Sequence, residues 1–123
     1  MKDDISIKRI VPNIYSDDLE KSKAFYQGFL NMDIIMDQGW VITFASGKNP
    51  LAQVNILENQ KKETLHNERI FLSVEVSDVN KMHQKAKALQ LEIVYPITDE
   101  PWGVRRFFVK APNGATINLV AHR

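Results

Sequence analysis

The side chains able to do chemistry are few and scattered. They are three histidines (His66, His83 and His122), Tyr15 and Glu75, two strand asparagines (Asn55 and Asn118), the only tryptophans (Trp40 and Trp102) and the adjacent Arg105 and Arg106. There is no cysteine, which excludes a thiol nucleophile and a disulfide framework. Glu75 could act as a general base with Tyr15 as acid, because a carboxylate among apolar neighbours holds its proton more tightly. Alternatively Glu75 is solvated, or bonded to Arg105 or Arg106. Asn is disfavoured inside strands, so Asn55 and Asn118 either bind a polar ligand group or satisfy neighbouring backbone groups. Trp40 and Trp102 could stack on a planar or cationic ligand, or simply pack. Trp102 lies between Pro101 and Gly103, where a loop could gate a ligand. Arg105 and Arg106 have opposite strand parity, so at most one faces inward; an inward Arg would favour a carboxylate or phosphate. His66 falls in a charged stretch, His83 on a helix beside Lys81, Lys85 and Lys87, and His122 on the strand face of Asn118. The three do not converge.

What positions these groups is a repeat. Leu30-Asn31-Met32-Asp33-Ile34-Ile35-Met36 recurs by residue class as Leu89-Gln90-Leu91-Glu92-Ile93-Val94-Tyr95. Upstream, Ile14 to Leu19 pairs with Val74 to Val79, 60 positions later. A repeat of this length is one supersecondary unit built twice, and two packed units leave a cleft whose lining decides function.

Lys8 to Tyr15 alternates and reads as a strand. Ser16, Asp17 and Asp18 offer caps to a helix over about Leu19 to Leu30. Strands follow at Met32–Asp37, Trp40–Ala45 and Leu51–Leu57, with a turn at Asp37-Gln38-Gly39. The second half repeats the order. A strand at Ile70–Val76 leads, through Asp78, into a helix whose Val79, Met82, Ala86 and Leu89 share one face. Glu92–Tyr95 is a strand, Pro96–Gly103 a long loop, and Arg105–Lys110 with Ala115–Ala121 a hairpin around Pro112-Asn113-Gly114. The expected class is α+β: two βαβββ repeats forming curved, cup-shaped mixed sheets with helices on the outer face. A single domain spans residues 1–123, with repeat one at 7–57, a mixed-charge linker at 58–68 and repeat two at 69–123.

Sixteen basic and fifteen acidic residues leave a formal charge of +1. That argues against nucleic acid or an anionic membrane as partner. Met1-Lys2-Asp3-Asp4 is polar, and no run approaches a membrane span of roughly 18 apolar residues. A cytoplasmic protein is expected.

Ser16-Asp17-Asp18-Leu19-Glu20-Lys21-Ser22-Lys23-Ala24-Phe25-Tyr26, Pro101-Trp102-Gly103 and Ala111-Pro112-Asn113-Gly114 resemble motifs of the vicinal oxygen chelate superfamily. That group includes glyoxalase I, extradiol dioxygenases, and fosfomycin and bleomycin resistance proteins. Ala111 departs from the usual Asp. The resemblance covers essentially the whole chain; it is specific for fold and weak for function. It implies that metal-dependent members would place ligands at positions matching Val11, Asn55, Phe71 and Asn118, a set no transition metal would select. It also implies pairing of two chains about a two-fold axis.

Strand parity then lists the cup lining as Val11, Asn13 and Tyr15; Gln53, Asn55 and Leu57; Phe71, Ser73 and Glu75; and Thr116, Asn118 and Val120. Apolar walls with a few amides and hydroxyls suit a small organic ligand. The expectation is a homodimeric, metal-free and cofactor-free binding protein that sequesters an antibiotic or metabolite. Its ligand contacts would be Val11, Asn13, Tyr15, Gln53, Asn55, Phe71, Ser73, Glu75, Trp102 and Asn118. A near-neutral chain fits a neutral or anionic ligand better than cationic bleomycin. The alternatives are a metal-dependent lyase, isomerase or dioxygenase, or metal-free catalysis by Glu75 and Tyr15.

Overall fold

The computed structural model describes residues 5–123; Met1 to Asp4 and the reading made of them lie outside it. Eight strands form two four-stranded mixed sheets. The first contains β1 (Asn13–Ser16), β4 (Gln53–Glu58), β3 (Val41–Ala45) and β2 (Asp33–Asp37), in that spatial order. The second contains β5 (Phe71–Glu75), β8 (Thr116–His122), β7 (Val104–Lys110) and β6 (Ile93–Asp99). In each, the leading strand runs parallel to the last and the others are antiparallel.

The repeat is visible atom by atom. Helix α1 (Leu19–Lys23) starts at Asp18, whose carboxylate accepts the Lys21 amide at 3.0 Å. Helix α2 (Val79–Ala88) starts at Asp78, which accepts the Lys81 amide at the same distance. After the two helices, Asn31 and Gln90 both turn left-handed at φ 57°. Asn13 stands opposite Asn55 as Ser73 stands opposite Asn118.

One core serves both repeats. Outward residues of the two sheets (Ile14, Ile42, Phe44, Val54 and Ile56 from one; Phe107, Val109, Ile117 and Leu119 from the other) pack with Phe25, Tyr26, Phe29, Val79 and Ala86 of the helical segments. The helices therefore cover the same side of the sheets that the core occupies, leaving the opposite, inner faces uncovered. Among the described residues, no helix is long and apolar enough to cross a membrane.

Several sequence expectations need correction. The first strand begins at Asn13, not Lys8. Pro12 has no N–H to donate and only accepts the Asn55 amide, and upstream of it Ile5, Ile7 and Ile10 are exposed. The first helix is α-helical only to Lys23 and continues as a π-helix over Ala24–Phe29, closed by Leu30 N–H bonding Phe25 O. The wider turn brings Phe25 inside with Tyr26 and Phe29. Pro96–Asp99 is not loop. Strand β6 runs on through it, with register irregularities on either side of Tyr95 that absorb Pro96. Leu89 is half exposed at the helix end. His83 is half-buried, its ring meeting Phe107 edge-on at 5.0 Å. Burial first, then Lys87 and Arg105, holds its imidazole below the usual range.

The linker also holds more than charge. Asn67, in a short 3-10 turn (Asn67–Arg69), is buried. Its Nδ2 donates to the carbonyl oxygens of Tyr15 and Asn113, both at 2.7 Å, tying the first repeat to the hairpin of the second.

Candidate functional site

The cleft between the repeats is not the surface that strand parity selects. It is a groove of about 720 Å³ whose walls are mainly core-side residues: Tyr26, Leu30, Met32, Val54, Leu72, Val74, Val76 and Met82. Of the expected contacts, only Gln53, Ser73 and Glu75 border it, and its rim carries a second acid, Asp78. The reason is topological. The repeats pack through their helix-covered sides, so their inner faces are not enclosed between them.

Parity itself holds. Along β1, Asn13 and Tyr15 are exposed while Ile14 and Ser16 are buried. Along β5, Phe71, Ser73 and Glu75 are more exposed than Leu72 and Val74. On the first inner face, Thr43 Oγ1 donates to Asn55 Oδ1 at 2.6 Å, and Asn55 Nδ2 donates to Asn13 Oδ1 at 2.8 Å. Asn55 is thus held at both ends by neighbouring side chains. Gln53 Nε2 donates to Pro50 O, and its Oε1 accepts from Arg9.

On the second inner face, Asn118 is 5% exposed and donates to Ser73 Oγ at 3.0 Å. Its Oδ1 is buried with no partner. The two equivalent asparagines therefore differ: one is saturated, the other has an acceptor to spare. Glu75 is not bonded to either arginine. Its Oε2 meets His122 Nδ1 at 3.1 Å, and both side chains are about two-thirds exposed. Tyr15 is half exposed. Val11 lies before β1 and is half-buried.

The second face also carries residues that sequence reasoning left unresolved. Phe108 pairs with Asn118 and Arg106 with Val120, so Arg106 is the inward arginine. Arg105 turns to the other side, bonding Asn80 and Asp99. Phe71 meets Phe108 edge-on at 4.9 Å, and Tyr95 stacks on Phe108 at 4.6 Å. The Arg106 guanidinium lies 4.9 Å from the Phe108 ring centre, 5.1 Å from Trp102 and 5.4 Å from Tyr95. Its Nε and Nη2 reach one oxygen of Glu100 at 2.9 and 2.8 Å. Glu100 is buried, and the Tyr95 hydroxyl is 3.2 Å from each of its oxygens. Trp102 is 63% exposed over this cluster, whereas Trp40, 44% exposed, lies in the bend just before β3 of the other sheet.

The positions matching the metal-dependent pattern do not fit an ion. Val11 and Phe71 have no donor atom, and both ends of the Asn55 amide are engaged. Among the described residues, no three His, Cys, Asp or Glu side chains are grouped to ligate one. Tyr26, fully buried in the core, has its phenol pushed up to about 12 by burial, with Asn113 pulling weakly the other way.

Residues 6–119 match the model of the Glyoxalase/Bleomycin resistance protein/Dioxygenase superfamily. The chain belongs to this superfamily. Comparison with curated protein sequences returned no match. Among solved structures, TioX from Micromonospora sp. ML1 superimposes with a TM-score of 0.78 at 18% identity, covering 94% of this chain and 99% of that one. A bleomycin resistance determinant encoded on transposon Tn5 gives 0.74 at 15% identity, covering 95% and 99%. A lactoylglutathione lyase from Agrobacterium tumefaciens gives 0.73 at 16% identity, covering 97% and 96%. Resistance determinant and lyase are matched almost equally well, so these likenesses fix the superfamily fold and leave the chemistry to the side chains.

Proposed function

We propose that this superfamily member binds a small organic molecule without a metal ion, and that two chains pair so that the inner face of one chain's first sheet closes over the second sheet of its partner. The observation that carries this reading is the second inner face. It sets Phe108, with Phe71 against it, opposite Asn118, whose Oδ1 is buried and unpartnered, and carries Trp102 beside Arg106. Aromatic surface with one or two fixed polar groups is what small-molecule sites are made of. Phe71 (53% exposed), Tyr15 (50%) and Trp102 (63%) are uncovered in the single chain, and a second copy supplies the cover. The ligand is neutral or anionic and carries at least one N–H or O–H donor for Asn118.

The test is a compound screen read by thermal shift, in which a ligand at 100 times its dissociation constant raises stability by about 2.7 kcal/mol. It is run beside metal analysis of protein purified without chelator and sedimentation for mass. Stoichiometric zinc, nickel, manganese or iron would overturn the reading. A monomeric mass would remove the paired cup.

A further inference from the structure

The groove between the repeats has a counterpart, and the two are not alike. By the repeat, Lys21 matches Lys81, Leu30 matches Leu89 and Met32 matches Leu91. Lys81, Leu30 and Met32 border one groove; Lys21, Leu89 and Leu91 border the other. The second is smaller, about 260 Å³ against 720 Å³, and Phe25 and Phe29 of the π-helical segment stand in its wall. The repeat counterpart of Phe25 is Lys85, whose Nζ instead donates to Phe29 O at 2.9 Å. The larger groove has no such aromatic plug. Its walls are aliphatic (Leu30, Met32, Leu72, Val74, Val76 and Met82), and Tyr26 gives its one ring among the described residues. Unbranched, flexible methionines adapt to a chain that bends.

We infer that the larger groove is a second binding site, on the opposite side of the sheets from the inner face, and that it takes a free fatty acid. The chain lies along the aliphatic walls and the carboxylate meets Lys81 at the rim. Charge decides the head group. Among the described residues the Lys81 ammonium makes no ion pair. The two acids bordering the groove are engaged: Asp78 accepts the Lys81 amide at 3.0 Å, and Glu75 meets His122 at 3.1 Å. Chain burial supplies most of the affinity. An exposed ammonium–carboxylate pair adds little, so Lys81 contributes preference more than strength. This inference does not depend on the function proposed for the inner face.

Titration calorimetry with decanoate is the test, with hexanoate, decanol and decylammonium for comparison. Hexanoate, with four fewer methylenes to bury, is expected to bind at least about tenfold more weakly than decanoate. Decanol is expected to bind about threefold more weakly, and decylammonium more weakly still. Lys81→Met, at an exposed position, is expected to bring decanoate and decanol within about twofold of each other. Lys81→Glu is expected to reverse the order of decanoate and decylammonium. In amide NMR spectra, decanoate should move the signals of Val74, Val76 and Met82 and leave Phe71 and Asn118 in place. Equal binding of hexanoate, decylammonium binding as tight as decanoate, an unreversed order in Lys81→Glu, or shifts centred on Phe71 and Asn118 would each overturn the site. So would the absence of binding; a dimeric mass in that case would assign the groove to a second copy. A ligand found on the inner face by the thermal screen would stand under any of these results.

Discussion

Asn118 donates its amide to Ser73 Oγ at 3.0 Å and keeps its own Oδ1 buried with nothing to accept from. Its counterpart Asn55 has no such vacancy, because Thr43 donates to it. An unmet buried acceptor costs roughly 1–3 kcal/mol. Asn118→Leu is therefore expected to leave the unliganded protein within about 1 kcal/mol of its original stability, or above it, while abolishing the thermal shift given by a screened ligand. Loss of about 3 kcal/mol or more in urea unfolding would show that Asn118 is structural instead.

The Asn67 amide is the opposite case, buried with both hydrogens bonded to main-chain oxygens of different repeats. Asn67→Ala strands the Tyr15 and Asn113 carbonyls. The expected cost is about 2–4 kcal/mol in urea unfolding. An effect below about 0.5 kcal/mol would mean that the shared core alone aligns the halves.

Tyr26 sets a pH dependence in the alkaline range. Its phenol ionises near 10 when unfolded and only at about 12 when folded. Between those values the unfolded chain has released the proton and the native chain has not. Stability therefore falls with rising pH, by about 1.4 kcal/mol per pH unit from this group, and levels off above the folded value. Other groups titrate there too, so the measurement is the difference between the native protein and Tyr26→Phe. That difference should be flat below pH 10 and shift in favour of the variant above it. At neutral pH the variant should lie within about 1 kcal/mol, since the hydroxyl has no well-formed bond to lose.

The paired caps offer a comparison inside one molecule. Asp18→Ala and Asp78→Ala each remove one carboxylate–amide bond of 3.0 Å. Each is expected to cost about 1 kcal/mol. Asp78 starts a ten-residue helix, whereas Asp18 starts five α-helical residues that pass into a π-turn. Amide hydrogen exchange should therefore spread further along the second helix than the first. Identical patterns in the two variants would contradict that.

Much of this architecture could be read in the residues because the features that define it are local and doubled. Asp18 and Asp78 cap alike, and Asn31 and Gln90 end their helices alike, as the repeat requires. Alternation along β1 and β5 also gave the right inner faces. What stayed hidden depends on partners distant in sequence. Phe107-Phe108-Val109 is apolar on both faces, so parity could not choose between Arg105 and Arg106; counting pairs back across the Asn113-Gly114 turn would have chosen Arg106. Glu100 drew no notice because Pro96 masks the continuation of β6 up to Asp99, the residue before it. Asn67 had no signal at all, since its bonds go to backbone oxygens, which every residue type supplies. The cleft was misplaced because a duplicated unit says nothing about which sides of its copies meet.

The Asn67 fastening grips peptide oxygens only, and those oxygens survive any substitution of the residues that carry them. The mutual pose of the two halves is thereby insulated from the identity of the side chains on the inner faces. Phe71, Trp102 or Asn118 can be exchanged without disturbing how the two halves meet, which makes this small scaffold easy to retune.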